Sequence, residues 1–233
     1  FPFIAGLLLS GTLAAFQFIF SGNVAYKKVE SPDLLPSVDY SNIPLAGSPD
    51  AQNIVTLLFD YQCSHCQKIH FFLDEATDRY NGNLAFALCP VPLNSDCNPY
   101  IQNNSEYFKN SCELAGIGLA VWVADRDAFR DFDNWMFTFE SGESWQPRSL
   151  ESARQKAVEL VGQEKFDKAL NDPWINEYIQ TCIRIYGKTL QGGQTGVPKL
   201  IFGSRWVFPE PYNANDFITM LQNNLLVPEP ADR

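Results

Sequence analysis

With 233 residues, of which 45% are hydrophobic, the chain is long enough to bury one substantial core and a smaller subdomain. It carries 27 acidic residues against 17 basic ones, for a net charge of −10, and has no basic run that could neutralise phosphates. This composition argues against nucleic-acid binding. The six cysteines are too few for a disulfide scaffold, but they suffice for one catalytic pair and one or two structural bridges.

The N-terminal stretch 1–26 contains no charged residue, and residues 1–20 are apolar apart from three polar side chains. About twenty apolar residues span the core of a bilayer as a helix, so we expect residues 1–26 to be a transmembrane helix. A secretory signal peptide is the alternative, but the stretch lacks a basic region and its apolar run exceeds the usual signal core. Residues 27–50 contain four prolines and predict a linker, which leads into an edge strand near Tyr40–Leu45.

A short apolar run, Asn53–Phe59, is typical of a central strand that is buried on both faces. Beyond Asp60 the apolar residues recur every three or four positions as far as Tyr80, which predicts a helix that starts at or just after Cys63. Cys63 is the first cysteine of a Cys-x-x-Cys motif, whose second cysteine is Cys66. The motif therefore begins where the strand meets the helix.

This position predicts a redox-active dithiol. Free N–H groups and the dipole at a helix N-terminus favour a thiolate at Cys63, and a cationic His65 would add to the effect. We predict that Cys63 is the exposed attacking sulfur and that Cys66 is the shielded resolving thiol. The alternative interpretation of the motif is a zinc site, because His70 completes a Cys-x-x-Cys-x-x-x-His string. A structural zinc site needs a second ligand pair at close spacing, and none is evident, so we predict no metal.

The next run, Asn83–Cys89, predicts a second buried strand, which a right-handed crossover would place parallel to the first. The middle of the chain, about 103–190, is helical in pattern. Ser149 is positioned to cap a helix over Leu150–Val161, and Asp172 precedes a proline at the first position of another helix. After Pro198, two strands, Lys199–Phe202 and Arg205–Phe208, predict a hairpin, and Asn213 is positioned to cap a last helix over Asp216–Leu225.

The order of strand, Cys-x-x-Cys at a helix start, strand, helical insertion, Val-Pro, hairpin and final helix resembles the thioredoxin fold in its DsbA-like form. The resemblance covers residues 51 to about 226 and implies an α/β thioredoxin-like domain over 51–229 with a helical insertion at about 103–190. In that family the second variable residue of the motif is often histidine, as His65 is here. The resemblance also implies that Pro198 is cis and lies against the dithiol, and that Val197 and Ser64 contact the substrate, Val197 through its backbone.

A narrower resemblance rests on the strings at 59–66, 90–99 and 112–115 behind the apolar N-terminal stretch. These strings are similar to the C-terminal domain of bacterial vitamin K epoxide reductase fusion proteins, which join a quinone-reducing membrane domain to a periplasmic thioredoxin-like domain. The resemblance implies a membrane-anchored, periplasmic thiol-disulfide oxidoreductase that acts on cysteine-containing proteins. It needs no cofactor of its own, since the quinone belongs to the membrane partner. A disulfide reductase or isomerase with the same residues and a non-catalytic zinc-binding module are the alternatives.

Four cysteines remain outside the motif, and they allow three complete pairings. Cys97 and Cys112 flank a polar, turn-rich stretch, so we predict a structural disulfide between them, which would also place the domain outside the cytoplasm. Cys89 ends a predicted strand and Cys182 lies inside a predicted helix, where buried free cysteine is an ordinary small hydrophobic residue. The pairing of these two stays open.

Overall fold

The computed structural model describes residues 29–30, 39–138, 144–193 and 195–225. The predicted transmembrane helix, 1–26, lies outside the described residues. Within the described ranges, no helix combines the length and the apolar character needed to cross a bilayer.

Six strands are present in the described part of the chain: β1 (Val29–Glu30), β2 (Leu45–Ala46), β3 (Asn53–Phe59), β4 (Leu84–Pro90), β5 (Lys199–Phe202) and β6 (Arg205–Val207). They form one mixed sheet in the order β1-β6-β5-β3-β4-β2. β3 and β4 are parallel, as predicted, and every other neighbouring pair is antiparallel, including the predicted hairpin of β5 and β6.

Both edges of the sheet come from the predicted linker. β1 pairs with β6 at one edge and β2 pairs with β4 at the other. The Leu88 N–H also donates to the Pro44 carbonyl, 2.9 Å away. The sheet therefore begins before the predicted domain boundary at Ala51. Each edge strand has only two residues, which suits a segment whose prolines lack the backbone donors that a longer ladder needs.

The described helices flank the sheet and also form the predicted insertion between β4 and β5. They are α1 (Ser64–Arg79), α2 (Ser111–Ala124), α3 (Arg126–Phe137), α4 (Leu150–Val161), α5 (Gln163–Leu170), α6 (Pro173–Thr189) and α7 (Ala214–Leu225). The predicted caps are present: the side chains of Ser149, Asp172 and Asn213 each accept a backbone N–H at the start of a helix, at 2.9–3.1 Å.

The two faces of the sheet carry different layers. On one face Phe86 of β4 stacks on Phe217 of α7, with ring centroids 6.0 Å apart, and Phe217 also contacts Phe72 of α1. Side chains alternate along a strand, so the odd-numbered residues of β4 point to the other face. There, Tyr178 of α6 lies 3.6 Å from the sulfur of Cys89. The dithiol helix and α6 thus pack on opposite sides of the central strands.

Helix α2 is the centre of the insertion, and it is buried on nearly all sides. It packs against α3, α4, α5 and α6. Gly118 faces the loop that follows β3, and a Cβ at this position would lie 2.7 Å from the hydroxyl oxygen of Tyr61. The absent side chain therefore allows α2 to lie directly beside the loop that leads to the Cys-x-x-Cys motif.

Candidate active site

Cys63 is the N-cap residue of α1, at the end of a three-residue connection from β3. Its backbone is extended, with φ −87° and ψ 117°, so its sulfur folds back over the first turn of the helix. There the Cys66 N–H points at the Cys63 sulfur across 3.4 Å. The sulfur thus occupies the place that a Ser or Asp oxygen takes in an ordinary cap, where unpaired N–H groups favour negative charge.

The two thiols of the motif have opposite electrostatic settings. The pKa of Cys63 is lowered, chiefly by the hydrogen bond that the Cys66 thiol donates, with further help from the backbone N–H groups of Cys66 and His65. Burial and the carboxylate of Asp60 oppose this shift. The pKa of Cys66 is raised well above its usual range, chiefly by burial. This asymmetry agrees with the predicted roles of attacking and resolving sulfur.

One detail differs from the sequence-based expectation. Cys63 is not exposed: only 4% of its surface is accessible, against 0% for Cys66. The loop before β5 lies against its sulfur, with the Val197 carbonyl 3.5 Å away. His65 is exposed, and its backbone N–H helps to lower the pKa of Cys63. Ser64 lies next to Cys63 and is exposed.

The covering loop contains the predicted cis-proline. The Val197–Pro198 bond is cis, and the thiol of Cys63 donates to the Val197 carbonyl across 3.5 Å. The loop is held from α6, because the Gly196 N–H donates to the hydroxyl oxygen of Tyr186 at 3.0 Å. The backbone of residues 196–197 is therefore fixed beside the reactive sulfur.

Asp60, which sequence reasoning did not assign to the site, is a buried carboxyl beside the motif. Its two oxygens accept N–H groups from Gln62 and Leu93, each at 2.7 Å. Burial raises its pKa to about 6. The side chain of Gln62 in turn accepts the Asn110 N–H at 2.9 Å. These bonds attach the segment from 93 to 110 to the loop that carries Cys63. The sequence feature that could have identified Asp60 is its position as a single charge between an apolar strand and the motif.

Lys199 is a second buried charge that sequence reasoning left inside a strand. Its Nζ donates to Thr189 Oγ1 at 2.7 Å and lies 4.7 Å from the ring centroids of both Tyr186 and Trp206. Burial lowers its pKa to about 7. It follows Pro198 directly, and the tyrosine under its ammonium is the one that holds Gly196. The sequence feature that could have identified Lys199 is a single lysine in an otherwise apolar strand.

His70 is a buried support of α1. Its Nδ1 lies 3.0 Å from the Cys66 carbonyl, its Nε2 lies 3.6 Å from a carboxylate oxygen of Asp133, and its ring stacks on Phe137. Asp133 also accepts the hydroxyl of Tyr61 at 3.1 Å. Both ring nitrogens of His70 thus face groups other than a thiol. Among the described residues, no cluster of three or more His, Cys, Asp or Glu side chains is placed to hold a metal.

Of the other four cysteines, two are bonded to each other and two are free. Cys97 and Cys112 are bonded, as predicted from the sequence, and their bridge joins the loop after β4 to the first turn of α2. Cys89 and Cys182 are free and buried. Burial raises the pKa of the Cys182 thiol, and a hydrogen bond with Cys89 adds to this effect.

Comparison with solved structures identifies the architecture. The catalytic domain of Proteus mirabilis ScsC is similar to this chain at 17% identity, over 84% of this chain and 94% of that one, with a TM-score of 0.59. The chain has a DsbA-like thioredoxin fold. The thiol-disulfide exchange protein α-DsbA2 of Wolbachia pipientis is similar at 20% identity, over 78% and 86%, with a TM-score of 0.58. Bacillus subtilis BdbD is similar at 14% identity, over 80% and 95%, with a TM-score of 0.53.

At these identities the likeness establishes the fold alone. No protein-family model matches the sequence, and the comparison with curated proteins finds no match either. The function therefore has to be argued from the geometry of the site.

Proposed function

We propose that this protein is a thiol-disulfide oxidoreductase that introduces disulfides into other proteins through Cys63 and Cys66. The observation that carries the proposal is the asymmetric dithiol: Cys63 caps α1 with a lowered pKa, and Cys66 lies one turn deeper with a raised pKa. The Val197 carbonyl beside the Cys63 sulfur adds a backbone edge to which an extended substrate can pair.

The reaction is thiol–disulfide exchange. In the oxidised protein, a substrate thiolate attacks the Cys63 sulfur and the Cys63–Cys66 bond breaks. The electron pair of that bond goes to Cys66, which takes up a proton, as its raised pKa favours. A second substrate thiolate then attacks the substrate sulfur of the mixed disulfide and releases Cys63 as a thiolate. The substrate leaves with one disulfide, and the protein is left as the dithiol.

The lowered pKa of Cys63 favours the oxidant direction for two reasons. A stabilised thiolate is a good leaving group in the second step, and it also stabilises the reduced protein relative to the disulfide. A reductase or isomerase would use the same residues with a less stabilised thiolate. The reduction potential of the Cys63–Cys66 pair distinguishes an oxidant from a reductase or isomerase. We expect it to lie nearer the value of DsbA, about −120 mV, than that of thioredoxin, about −270 mV.

We further propose that the domain is extracytoplasmic, is anchored by the apolar stretch 1–26, and is reoxidised by a quinone-linked membrane domain of the vitamin K epoxide reductase type. The Cys97–Cys112 disulfide supports the oxidising compartment, since such bonds are rare in the cytosol. The similarity of the strings at 59–66, 90–99 and 112–115 to the fusion proteins supports the partner. The test is reoxidation of the reduced domain by such a membrane domain in vesicles that contain quinone.

The role of each cysteine is tested by two variants. Cys63→Ser should abolish exchange, because it removes the attacked sulfur. Cys66→Ala cannot form the oxidising disulfide, but its Cys63 thiolate should attack the disulfide of an oxidised substrate, break that bond and, without Cys66 to displace the substrate, hold it as a stable mixed disulfide. Gel electrophoresis without reductant detects the trapped species. Normal turnover by Cys66→Ala would contradict the dithiol mechanism.

A further inference from the structure

A groove beside the cis-proline loop has no part in the steps of the exchange reaction. Its volume is about 520 Å³, in the range of sites that enclose a small molecule or a few side chains. We call it the Tyr100 groove. Its apolar lining consists of Leu93, Tyr100, Ile101, Phe108, Tyr186 and Leu190, and the rest of its lining is uncharged amides, hydroxyls and backbone.

The lining has no charged side chain, in a protein whose net charge is −10. A separate groove on the surface of α1 differs in this respect, because it contains His65, Lys68 and Glu210. Burying a charge without a partner costs free energy, so the Tyr100 groove disfavours charged occupants and favours apolar ones.

The loop that covers Cys63 also lines the groove. Thr195 and Gly196 line the groove, and they are the two residues that precede Val197, whose carbonyl lies 3.5 Å from the Cys63 sulfur. An extended peptide advances about 3.3 Å per residue. A substrate strand that lies along this loop with its cysteine at Cys63 would therefore bring a residue two or three positions away into the groove.

The segment from 93 to 110 also connects the groove with the dithiol. Leu93 and Phe108 line the groove. The Leu93 N–H donates to Asp60 at 2.7 Å, and the Asn110 N–H donates to the side chain of Gln62, next to Cys63, at 2.9 Å. This wall of the groove is therefore bonded to the loop that carries the reactive sulfur.

The groove is rigidly built. Tyr100 lies flat over Gly187, where any Cβ would overlap its ring, and it contacts Tyr186 edge to face. The opposite wall is held by Asn94, whose amide donates to the Phe108 carbonyl at 3.3 Å. The Cys97–Cys112 disulfide closes the loop that contains Tyr100 and Phe108. A half-exposed tyrosine held in this way is prepared to bury a further apolar surface without losing much side-chain entropy.

We propose that the Tyr100 groove binds a bulky apolar side chain of the substrate polypeptide, two or three residues to one side of the cysteine that attacks Cys63. The proposal rests on the proposed function of the dithiol and specifies the sequence around the reacting cysteine more closely.

The test uses short, blocked peptides with one cysteine and either Phe or Gly two or three positions before or after it, the other residues being Ser and Gly. Acid quenching and chromatography give the second-order rate constant at which each peptide reduces the Cys63–Cys66 disulfide of the full chain. We expect Phe to exceed Gly on the order of tenfold on one side of the cysteine, since partial burial of one aromatic side chain is worth about 1.4 kcal/mol. Glu at the same position should react no faster than Gly.

Three variants locate the effect. Tyr100→Ala should bring the ratio of the Phe and Gly rates close to one, and Tyr100→Phe should keep it. Phe71→Ala is the matched control, because Phe71 is an aromatic residue of similar exposure, 49%, that does not line the groove, and it should keep the wild-type ratio. If Tyr100→Ala fails to fold, the isosteric rim variant Gln102→Glu replaces it, and its added carboxylate should reduce the preference for Phe.

The outcomes separate the two proposals. Equal rates for the Phe and Gly peptides on both sides would overturn the groove while leaving the exchange reaction intact. A preference for Phe that survives in Tyr100→Ala or in its replacement would also overturn it. Failure of the wild-type disulfide to react with any peptide or with dithiothreitol would overturn the proposed function, and the groove with it.

Discussion

Asp60 offers the sharpest test of how the buried charge beside the motif affects stability. Its pKa is raised by burial from 3.8 to about 6, so the folded protein binds this proton more tightly than the unfolded chain. Protonation of Asp60 therefore stabilises the fold. That contribution is complete below pH 3.8 and is lost as the pH rises through about 6. At 1.36 kcal/mol per pKa unit, the loss amounts to about 3 kcal/mol.

The perturbation is Asp60→Asn, which removes the titration but keeps the size of the side chain. An amide has one oxygen, so it can accept only one of the two N–H groups that the carboxyl holds, from Gln62 and Leu93. This loss does not depend on pH. The pH dependence of the free energy of unfolding, and not its absolute value, therefore isolates the charge.

The assay is urea-induced unfolding between pH 3.5 and 7.5 for proteins that also carry Cys63→Ser and Cys66→Ser, so that no thiol of the motif titrates. We expect the free energy of unfolding of the parent, minus that of Asp60→Asn, to fall by about 3 kcal/mol across this range. Asp50→Asn is the control, because it makes the same charge change at an exposed carboxyl. A difference that stays constant with pH would refute the argument that burial controls this group.

Three further predictions concern stability. Replacing both Cys97 and Cys112 by Ala should lower the free energy of unfolding by about 3 kcal/mol, as measured with urea, because the bridge closes a loop with a sequence separation of 15. Gly118→Ala should lower the free energy of unfolding by about 1–3 kcal/mol, since its Cβ would press against the hydroxyl of Tyr61. Gly116→Ala in the same helix is the control: its Cβ meets no atom within 4 Å, so it should be neutral or stabilising. Burial lowers the pKa of Lys199 from 10.5 to about 7, so between these values the unfolded chain binds this proton more tightly; stability should rise from about pH 7 to pH 10.5 and stay constant just below pH 7, and Lys199→Met should remove this dependence.

The features that the sequence predicted correctly are those with local signals. The apolar run of β3, the change to helical spacing after Asp60 and the position of Cys63 can all be read from consecutive residues. The same is true of the cap residues Ser149 and Asp172. In each case the signal lies in residues only a few positions apart, even where, as in β3, the hydrogen bonds join distant strands.

The features that were missed depend on distant parts of the chain. Asp60 is a site residue because it accepts an N–H from Leu93, 33 residues away, and Tyr61 reaches Asp133 across 72 residues. Burial by such distant segments sets the pKa of Asp60 and of Lys199, and no local pattern specifies it. The near-complete burial of Cys63 has the same origin, since the covering loop is more than 130 residues away. A lone charge beside an apolar strand was the only sign that could have identified Asp60 or Lys199.

The contacts between the helical insertion and the dithiol make the insertion part of the reactive centre. The segment before α2 is bonded to Gln62, and α6 holds Gly196 through the hydroxyl of Tyr186. Any shift of α6 relative to the sheet would therefore change the distance between the Val197 carbonyl and the Cys63 sulfur. That carbonyl is also the backbone edge to which we propose that a substrate pairs, so the insertion would set both the approach to the sulfur and, through Tyr186, one wall of the Tyr100 groove. Changes within the insertion should consequently alter which substrates react more than they alter the chemistry of the dithiol itself.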